Sequence, residues 1–357
     1  MSKKDQQSWL GALEKQGLEV KSARDALQVK GWLDTGNYAL NWAISGRLLR
    51  GYPLGHTGEI FGDPSTGKSF LAARALAMVQ KEGGVALLDD TEGAYNLEHS
   101  AALGVDVAKL AYRNSRTVKQ HLDTTLAFVK AYKDLRLKVP GIIVCDSLAQ
   151  LSTEHEMETK LDRRDMSKAA ELKAFFRIVS GDLFELPVIH LSTNHTIAAI
   201  GNLFKTRDTP GGGGPKFQSS WRLDLRAISK IKAGADYIGC ICRAVVDKNR
   251  FTAPWKEVRM AIPFAKPISK ASGLIPLLLA LGVVKETGAF LEFRGDRLGR
   301  TFKTKDHFLD QDEVGEQLLD QYPEILEETD AALEAGQLNT GPTSEVTPEP
   351  EEVAEEV

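Results

Sequence analysis

Short apolar runs and amphipathic segments alternate along the chain from about residue 55. The apolar runs predict strands, and the segments with apolar positions three or four residues apart predict helices. Strands are predicted at 59–61, 85–88, 141–145 and 188–192, and helices at 69–80, 118–135 and 166–184. This order is typical of an α/β fold with a mostly parallel, twisted sheet that is covered by helices on both faces.

The pattern changes on either side of this alternation. Between residues 221 and 260 the apolar runs come closer together, which indicates an antiparallel extension of the sheet. Residues 8–16 predict a short amphipathic helix with little of its own to pack against, which makes it a candidate subunit contact. We therefore divide the chain into an N-terminal arm and lead-in at 1–50, a core at 51–265, a small C-terminal α/β domain at 266–326 and an acidic, disordered tail at 327–357.

The net charge of −4 is unevenly distributed over the 357 residues. Residues 306–357 hold 17 acidic side chains and no Lys or Arg, whereas residues 1–305 hold 45 basic and 32 acidic side chains, a net charge of +13. A basic body with an acidic tail fits a polyanion-binding protein whose tail competes for the same surface; a tail that only improves solubility fits equally well. The sequence has no signal-peptide pattern and no apolar run long enough to span a bilayer, so we expect a cytoplasmic protein without a membrane partner.

The most specific motif is a glycine loop between a predicted strand and a predicted helix. It reads Gly62-Asp63-Pro64-Ser65-Thr66-Gly67-Lys68-Ser69 and fits the phosphate-loop pattern GxxxxGK[ST]. In such a loop backbone N–H groups surround phosphate oxygens, the lysine neutralises the β- and γ-phosphates, and the hydroxyl ligates Mg²⁺. The motif predicts a site for ATP and Mg²⁺, with Lys68 in a catalytic role and Ser69 as a metal ligand.

Acidic residues at two strand ends complete a hydrolytic site in this interpretation. Asp146 follows the apolar run 141–145 and is the expected second ligand of Mg²⁺. Glu92 follows the run 85–88 and is our candidate for the general base that activates water. Asp89 and Asp90 lie at the same strand end and compete for that role, because only geometry can separate the three carboxylates.

These motifs, followed by Leu191-Ser-Thr-Asn194-His195, resemble the core of the RecA recombinases in order and spacing, over about residues 51–263. The UvsX-like recombinases of tailed phages are more similar still, in the step Asn194-His195-Thr196 and in Phe176-Arg177-Ile178-Val179. The resemblance implies an ATP-dependent DNA strand-exchange recombinase that forms filaments on single-stranded DNA and binds duplex DNA. It also implies roles in recombination, repair and recombination-dependent replication, with mediator and single-strand-binding proteins as partners.

The resemblance assigns roles within the nucleotide site. Glu92 corresponds to the water-activating glutamate, and Asn96 and His99 correspond to residues that line adenine and ribose. His195 stands where RecA proteins have a glutamine that senses the γ-phosphate and relays its presence to a DNA loop. A histidine can also donate a hydrogen bond to a phosphate oxygen, and it adds a possible sensitivity to pH.

Two segments match the DNA-binding loops of the family. The first segment, residues 156–165, is polar and leads into a helix, and its candidate DNA contacts are Arg163, Arg164, Met166, Lys173 and Arg177. The second segment, residues 196–217, contains a glycine run that we expect to be flexible until DNA binds. Its candidates are Ile200 as a wedge between bases, Phe204, the phosphate contacts Lys205 and Arg207, and Gly211, Gly212, Gly213 and Gly214.

A final pair of cations, Lys248 and Arg250, alternates along an extended run, so both can point the same way. By resemblance they reach the ATP of a neighbouring subunit and act in trans. Two alternatives remain at this point: a hexameric helicase or translocase motor of the same fold, and a paralogue that binds DNA without exchanging strands. Formation of joint molecules would separate both from a recombinase.

Overall fold

A computed structural model describes residues 3–23, 29–159, 167–198, 207–301 and 308–338. The chain begins with helix α1 (Lys3–Glu14), longer than the predicted 8–16 at its N-terminal side, and Trp9 on this helix is exposed. Strand β1 (Trp32–Leu33) pairs with β2 (Tyr52–Pro53) around helix α2 (Tyr38–Ser45). Asn37 caps α2 with its side chain, which also bonds to the carbonyl groups of Ser269 and Ser272. The lead-in is thereby attached to the core.

The predicted alternation of strands and helices is confirmed, with most boundaries within two residues. The core elements in chain order are β3 (Thr57–Gly62), α3 (Lys68–Lys81), β4 (Val85–Asp90), α4 (Leu97–Ala102), β5 (Ala111–Arg113), α5 (Val118–Asp134), β6 (Gly141–Asp146), α6 (Glu154–Thr159), α7 (Ser167–Leu183) and β7 (Val188–His195). The short elements α4, β5 and α6 were not predicted, because three to six residues carry too little periodicity to be read.

The parallel strands of the central sheet have their carboxyl ends at the same edge of the sheet. After β8 (Ile197–Ala198), β9 (Arg207–Asp208) and helix α8 (Gly213–Gln218), three long strands follow: β10 (Trp221–Ala233), β11 (Asp236–Asn249) and β12 (Glu257–Pro263). The eight-stranded order is β12-β11-β10-β3-β7-β6-β4-β5. Strands from β10 to β5 in this order are parallel, and β10-β11-β12 are antiparallel, as predicted.

Both faces of the sheet are buried, which explains why its central strands read as continuous apolar runs. On β6, Ile142 and Val144 face the cluster that packs around α3, whereas Ile143 and Cys145 face the cluster formed with α5 and α7. The two clusters hold the sheet between its helices. The polar side chains predicted to form the site lie at the ends of the strands, outside these clusters.

The C-terminal part has its own small sheet. Helix α9 (Leu274–Ala280) precedes the three-stranded sheet β13 (Lys285–Thr287), β14 (Phe290–Phe293) and β15 (Asp296–Arg300), and helices α10 (Phe308–Gln321) and α11 (Ile325–Glu334) follow. No helix among the described residues is long and apolar enough to cross a membrane.

The structure corrects the predicted start of the acidic tail. Residues 327–334 lie in α11, because Thr329 and Leu333 are buried and the carboxylate of Asp330 accepts hydrogen bonds from the backbone N–H groups of Leu48 and Leu49 at 2.6 and 3.1 Å. The acidic side chains of this helix therefore belong to a folded element that packs on the lead-in. The remainder of the predicted tail beyond residue 338 lies outside the described residues.

Candidate functional site

The phosphate loop joins β3 to α3 and is stabilised by its own hydrogen bonds. Gly67 caps α3 with a φ of 93°, a left-handed conformation that favours glycine. At Gly62 an added Cβ would lie 2.1 Å from the carbonyl oxygen of Leu225, so a larger residue does not fit where β3 meets β10. The Thr66 hydroxyl donates to the carbonyl of Asp63 at 2.9 Å. The two motif glycines thus occupy positions that require them.

Lys68 lies folded over this loop. Its Nζ donates to the carbonyl of Asp63 at 2.7 Å, and the residue is 6 % exposed. Burial lowers the pKa of Lys68, and the nearby carboxylates of Asp146 and Glu92 oppose that shift. A buried ammonium group whose hydrogen-bond partner is a neutral carbonyl fits a triphosphate, because phosphate oxygens would supply charged acceptors for its remaining N–H groups.

The predicted metal ligands lie side by side. The carboxylate of Asp146, at the end of β6, accepts hydrogen bonds from the hydroxyl groups of Thr193 and Ser69. Burial raises the pKa of Asp146, and these two hydrogen bonds oppose the shift. A hydroxyl and a carboxylate next to a phosphate site are oxygen ligands of the kind Mg²⁺ prefers, so Ser69 and Asp146 fit this metal.

The three candidate bases have different surroundings. Asp89 is fully buried and accepts hydrogen bonds from the Ser115 backbone and from His121. Asp90 is 4 % exposed and accepts from the backbone N–H groups of residues 93–95. The side chain of Glu92 is 31 % exposed. Of the three carboxylates, Glu92 is the one that water can reach, and Asp90 shapes the turn that presents it.

Glu92 is joined to the predicted sensor. Its Oε1 accepts hydrogen bonds from the Ser147 hydroxyl at 2.8 Å and from Nε2 of His195 at 3.0 Å. Burial raises the pKa of Glu92, but these hydrogen bonds and the charges of His195 and Lys68 outweigh it, so the pKa lies below its usual value. The carboxylate is therefore ionised at neutral pH and able to accept a proton.

The two residues expected to line adenine and ribose lie at the start of α4. The Asn96 side chain caps this helix by accepting from the backbone N–H of His99 at 2.8 Å. The His99 ring lies 6.4 Å from the ring of Phe70, in the first turn of α3. Both residues are thus near the helix that carries the phosphate loop, and Asn96 has a structural task as well.

Comparison with known proteins agrees with this geometry. The RecA N-terminal domain family matches residues 13–269 of the chain. The chain belongs to the RecA family. It is 31 % identical to the RecA protein of Chloroherpeton thalassium over 85 % of this chain and 84 % of that protein. It is 32 % identical to those of Staphylococcus epidermidis, over 79 % and 77 %, and of Corynebacterium efficiens, over 75 % and 68 %.

Family membership settles the general activity. This RecA-family protein is an ATP-dependent DNA strand-exchange recombinase of recombination and repair, and a DNA-dependent ATPase.

The predicted DNA contacts are only partly within the described residues. Lys173 and Arg177 are both exposed on α7, four residues apart. Arg207 lies against the phosphate loop, with Nη2 at 2.5 Å from Oδ1 of Asp63, and its Nη2 also donates to the Thr196 hydroxyl. Arg163, Arg164, Met166, Ile200, Phe204 and Lys205 lie outside the described residues.

The glycine run of the second segment has a packing role that sequence reasoning missed. An added Cβ would lie 2.7 Å from Leu172 at Gly211 and 2.8 Å from the Lys173 backbone at Gly214. Gly212 and Gly213 complete the turn into α8. The run lets α8 pack closely on α7, so these glycines have a packing role beside the DNA contact expected of them.

Lys248 and Arg250 are held by the end of α8. Lys248 Nζ donates to the carbonyl oxygens of Phe217 at 2.6 Å and Lys216 at 3.2 Å, and Arg250 Nη2 donates to Phe217 O at 3.1 Å. The last carbonyls of a helix lack partners within it and carry partial negative charge, so they suit cations. The second segment therefore ends on the two cations predicted to act between subunits.

Two buried polar networks were also missed. One joins Asp89, His121 and His190 beneath the sheet. The other centres on Arg222, with Glu59 as a fully buried partner. The sequence carries only weak signals of these networks: two histidines within apolar segments, and charged residues within predicted strands. Their partners lie far away in the sequence, so no local pattern indicates the pairing.

Proposed function

We propose that the protein polymerises on single-stranded DNA, with ATP and Mg²⁺ held at each junction between neighbouring subunits, and that assembly completes the site of hydrolysis. The observation that carries this proposal is the placement of Lys248 and Arg250 relative to their own phosphate loop. Lys248 pairs across the sheet with Arg222, which pairs with Glu59 on β3.

The strand register gives the distance between Arg250 and its own phosphate loop along β3. The Arg250 backbone N–H bonds to Ser220 O, and the Ser220 N–H bonds to Thr57 O, at the start of β3. The phosphate loop begins after Gly62, five residues or about 17 Å further along at ~3.3 Å per residue. Lys248 lies level with Glu59, three residues or about 10 Å before Gly62, and two strands away from β3. Because both cations are separated from their own loop in this way, they suit the ATP of a second subunit.

Within one subunit the residues divide the work of hydrolysis. Lys68 and the loop backbone bind the phosphates, and Glu92 accepts a proton from the attacking water. His195, bonded to Glu92, places a hydrogen-bond donor beside the base, where it can respond to the γ-phosphate. Mg²⁺, held by Ser69 and Asp146, would neutralise charge on the phosphate oxygens.

The DNA-binding part of the proposal rests on exposed cations beside the two segments. The side chains of Lys173 and Arg177 are exposed on α7, and Gly214 of α8 lies close to the α7 backbone at Lys173. Their charges would contact backbone phosphates without reading sequence, as a protein that searches for homology requires. Arg207, paired with Asp63, would join the second segment to the phosphate loop.

We further propose mediator and single-strand-binding proteins as partners, and a relationship to the recombinases of tailed phages. The second point rests on Asn194-His195-Thr196 and Phe176-Arg177-Ile178-Val179. The His195–Glu92 hydrogen bond supports it, because histidine serves here in the place that glutamine takes in RecA proteins.

Electron microscopy and a joint-molecule assay test the proposal together. With single-stranded DNA and a non-hydrolysable ATP analogue, the protein should form regular filaments, and with ATP and homologous duplex it should form joint molecules. Lys68→Ala should abolish both, since phosphate binding is lost. Glu92→Gln should keep filaments but lower ATP turnover about a hundredfold or more.

Other outcomes separate the alternatives. Closed rings that unwind duplex DNA without forming joints would establish a helicase or translocase, and filaments that never form joints would establish a non-exchanging paralogue. A protein that stays monomeric with nucleotide and DNA present would contradict the proposal.

A further inference from the structure

We propose that Arg222, which lies outside the nucleotide site, is a positioning residue that couples the second DNA segment to the sensor His195 and to the intersubunit cation Lys248. This inference rests on the proposed function, since it assigns the path by which bound DNA would stimulate ATP hydrolysis. The path consists of side-chain hydrogen bonds that join four strands and the described end of the second segment.

Arg222 is 4 % exposed and all three of its side-chain nitrogens are engaged. Nε donates to Oε2 of Glu59 at 2.5 Å, Nη1 to Oδ2 of Asp247 at 3.0 Å, and Nη2 to the Thr209 hydroxyl at 3.0 Å. The guanidinium also stacks 4.2 Å above the Phe61 ring. Each bond ends on a different part of the chain: β3, β11 and the second segment.

One branch leads to the sensor. Oε1 of Glu59 accepts from Nδ2 of Asn194 at 2.8 Å, and Oδ1 of Asn194 accepts from the backbone N–H of His195 at 3.0 Å. The same Nδ2 also donates to the carbonyl of Pro210 at 3.1 Å. A shift of Thr209 and Pro210 would therefore act on both ends of the Glu59–Asn194 pair and change the position of His195.

The other branch leads to the cation. Asp247 immediately precedes Lys248 on β11, and Lys248 pairs in register with Arg222 itself. Lys248 is in turn held by the Phe217 carbonyl at the end of α8. The second segment thus reaches Lys248 twice, from Thr209 through Arg222 and from Phe217 directly.

The chemistry of arginine explains why this position requires it. A guanidinium presents several donors in a fixed plane and stays charged, so it can hold three partners at set angles. A lysine retains the charge but has a single nitrogen, which cannot reach Glu59, Asp247 and Thr209 in the same geometry. Arg222→Lys is therefore a variant that keeps the buried charge and breaks the coupling.

The test measures the DNA stimulation factor, the ratio of ATP turnover with and without a poly(dT) oligonucleotide. Arg222→Lys in the full-length chain should lower this factor about tenfold, the loss expected for charge-assisted hydrogen bonds, at saturating ATP and DNA. Affinity for ATP in the absence of DNA should change far less than the factor. An unchanged factor, or rates with and without DNA that fall together, would overturn the inference.

A milder variant and a control keep the test decisive if Arg222→Lys folds poorly. Thr209→Val removes one acceptor while preserving shape, and should lower the stimulation factor about threefold. Asp330→Ala removes two hydrogen bonds to the Leu48 and Leu49 backbone, which take no part in this path, so it should lower the melting temperature and leave the factor within about twofold of wild type. A factor that Thr209→Val leaves at the wild-type value would also contradict the coupling.

Failure of the proposed function is distinguishable from failure of this inference. A wild-type protein whose ATP turnover does not respond to DNA would overturn the proposed function and this coupling with it. Stimulation in the wild type that survives in both variants would overturn the coupling alone.

Discussion

At the scale of single residues, the buried line Asp89–His121–His190 is an unusual element of the core. Asp89 Oδ2 lies 2.7 Å from Nδ1 of His121, and Nε2 of His121 lies 2.9 Å from Nε2 of His190. His190 is fully buried, and its Nδ1 has no hydrogen-bond partner among the described residues. A histidine in these surroundings is stable in its neutral form.

This line predicts acid sensitivity. Burial and the charge of His121 lower the pKa of His190 well below its usual value, although Asp89 opposes them. Below pH 6.5 the unfolded chain binds a proton that the folded protein excludes, so stability falls as pH falls. This one group should account for about 1.4 kcal/mol of lost stability between pH 7.5 and 5.5.

His190→Leu measures this contribution. Between pH 7.5 and pH 5.5 the free energy of unfolding of this variant, from denaturant titration, should decrease by about 1.4 kcal/mol less than that of the wild type. The variant's stability at pH 7.5 is not the readout, because it also removes a partner of His121. A decrease equal to that of the wild type would contradict the prediction.

The role of a residue could be predicted from the sequence where a local motif defines it, and not where the role depends on a partner that is distant in the sequence. The phosphate-loop glycines, Lys68 and Ser69 follow from a local motif, and the structure places them accordingly. Glu59 and Arg222 lie 163 positions apart, and no local pattern indicates that they pair. For the same reason, the sequence left three carboxylates competing as the base.

At the scale of elements, α8 and β11 are joined by hydrogen bonds from Lys248, a cation that we propose acts between subunits, to the carbonyl groups of Lys216 and Phe217. Burial and the charges of Arg250 and Arg222 lower the pKa of Lys248 to about 8, while Asp247 and Glu59 oppose the shift. In the proposed mechanism Lys248 must be charged to engage a neighbour's triphosphate. Loss of its proton would therefore limit activity at alkaline pH.

Lys248→Arg tests this dependence. The value of kcat/KM for ATP, measured with saturating single-stranded DNA, should decline in the wild type above about pH 8, approaching tenfold per pH unit. In Lys248→Arg the decline should disappear from the range below pH 10, because arginine stays charged. Lys270→Arg, on an exposed lysine paired with Asp34, should keep the wild-type profile. A decline that persists in Lys248→Arg would show that another group titrates.

Elements were predictable where their periodicity extends over several turns or strand residues. The helices α3, α5 and α7 and the parallel strands between them were found because both faces of the sheet are buried. The packing role of the glycine run was missed, because close packing of α8 on α7 and flexibility call for the same residue type. The helical start of the predicted tail was missed because the acidic composition of this segment predicted disorder, although Thr329 and Leu333 within it are buried.

At the scale of the whole molecule, the separation of the cations from their own phosphate loop predicts complementation between defective subunits. Glu92→Gln removes the proposed base on the loop side but keeps filaments and cations, and the double variant Lys248→Ala/Arg250→Ala keeps the loop side and removes the cations. Each alone should show negligible ATP turnover on single-stranded DNA. In a random 1:1 mixture, about a quarter of the head-to-tail junctions would combine an intact loop with intact cations.

The mixture should therefore recover about a quarter of the wild-type turnover, measured at fixed total protein and saturating DNA. A mixture of Glu92→Gln with the triple variant Glu92→Gln/Lys248→Ala/Arg250→Ala serves as the control, since no junction in it has an intact loop side. If the first mixture stays as inactive as its components, the cations act within their own subunit.

The hold of α8 on Lys248 and Arg250 has a consequence for timing. In the proposed assembly, a solitary subunit keeps both side chains bonded to its own backbone. The nucleotide that it binds would persist until the cations of a neighbour reach it. Hydrolysis at each junction would then begin only when that junction forms. The oldest junctions would be the first to contain spent nucleotide, and a growing polymer would bear a gradient of age from its origin to its newest end.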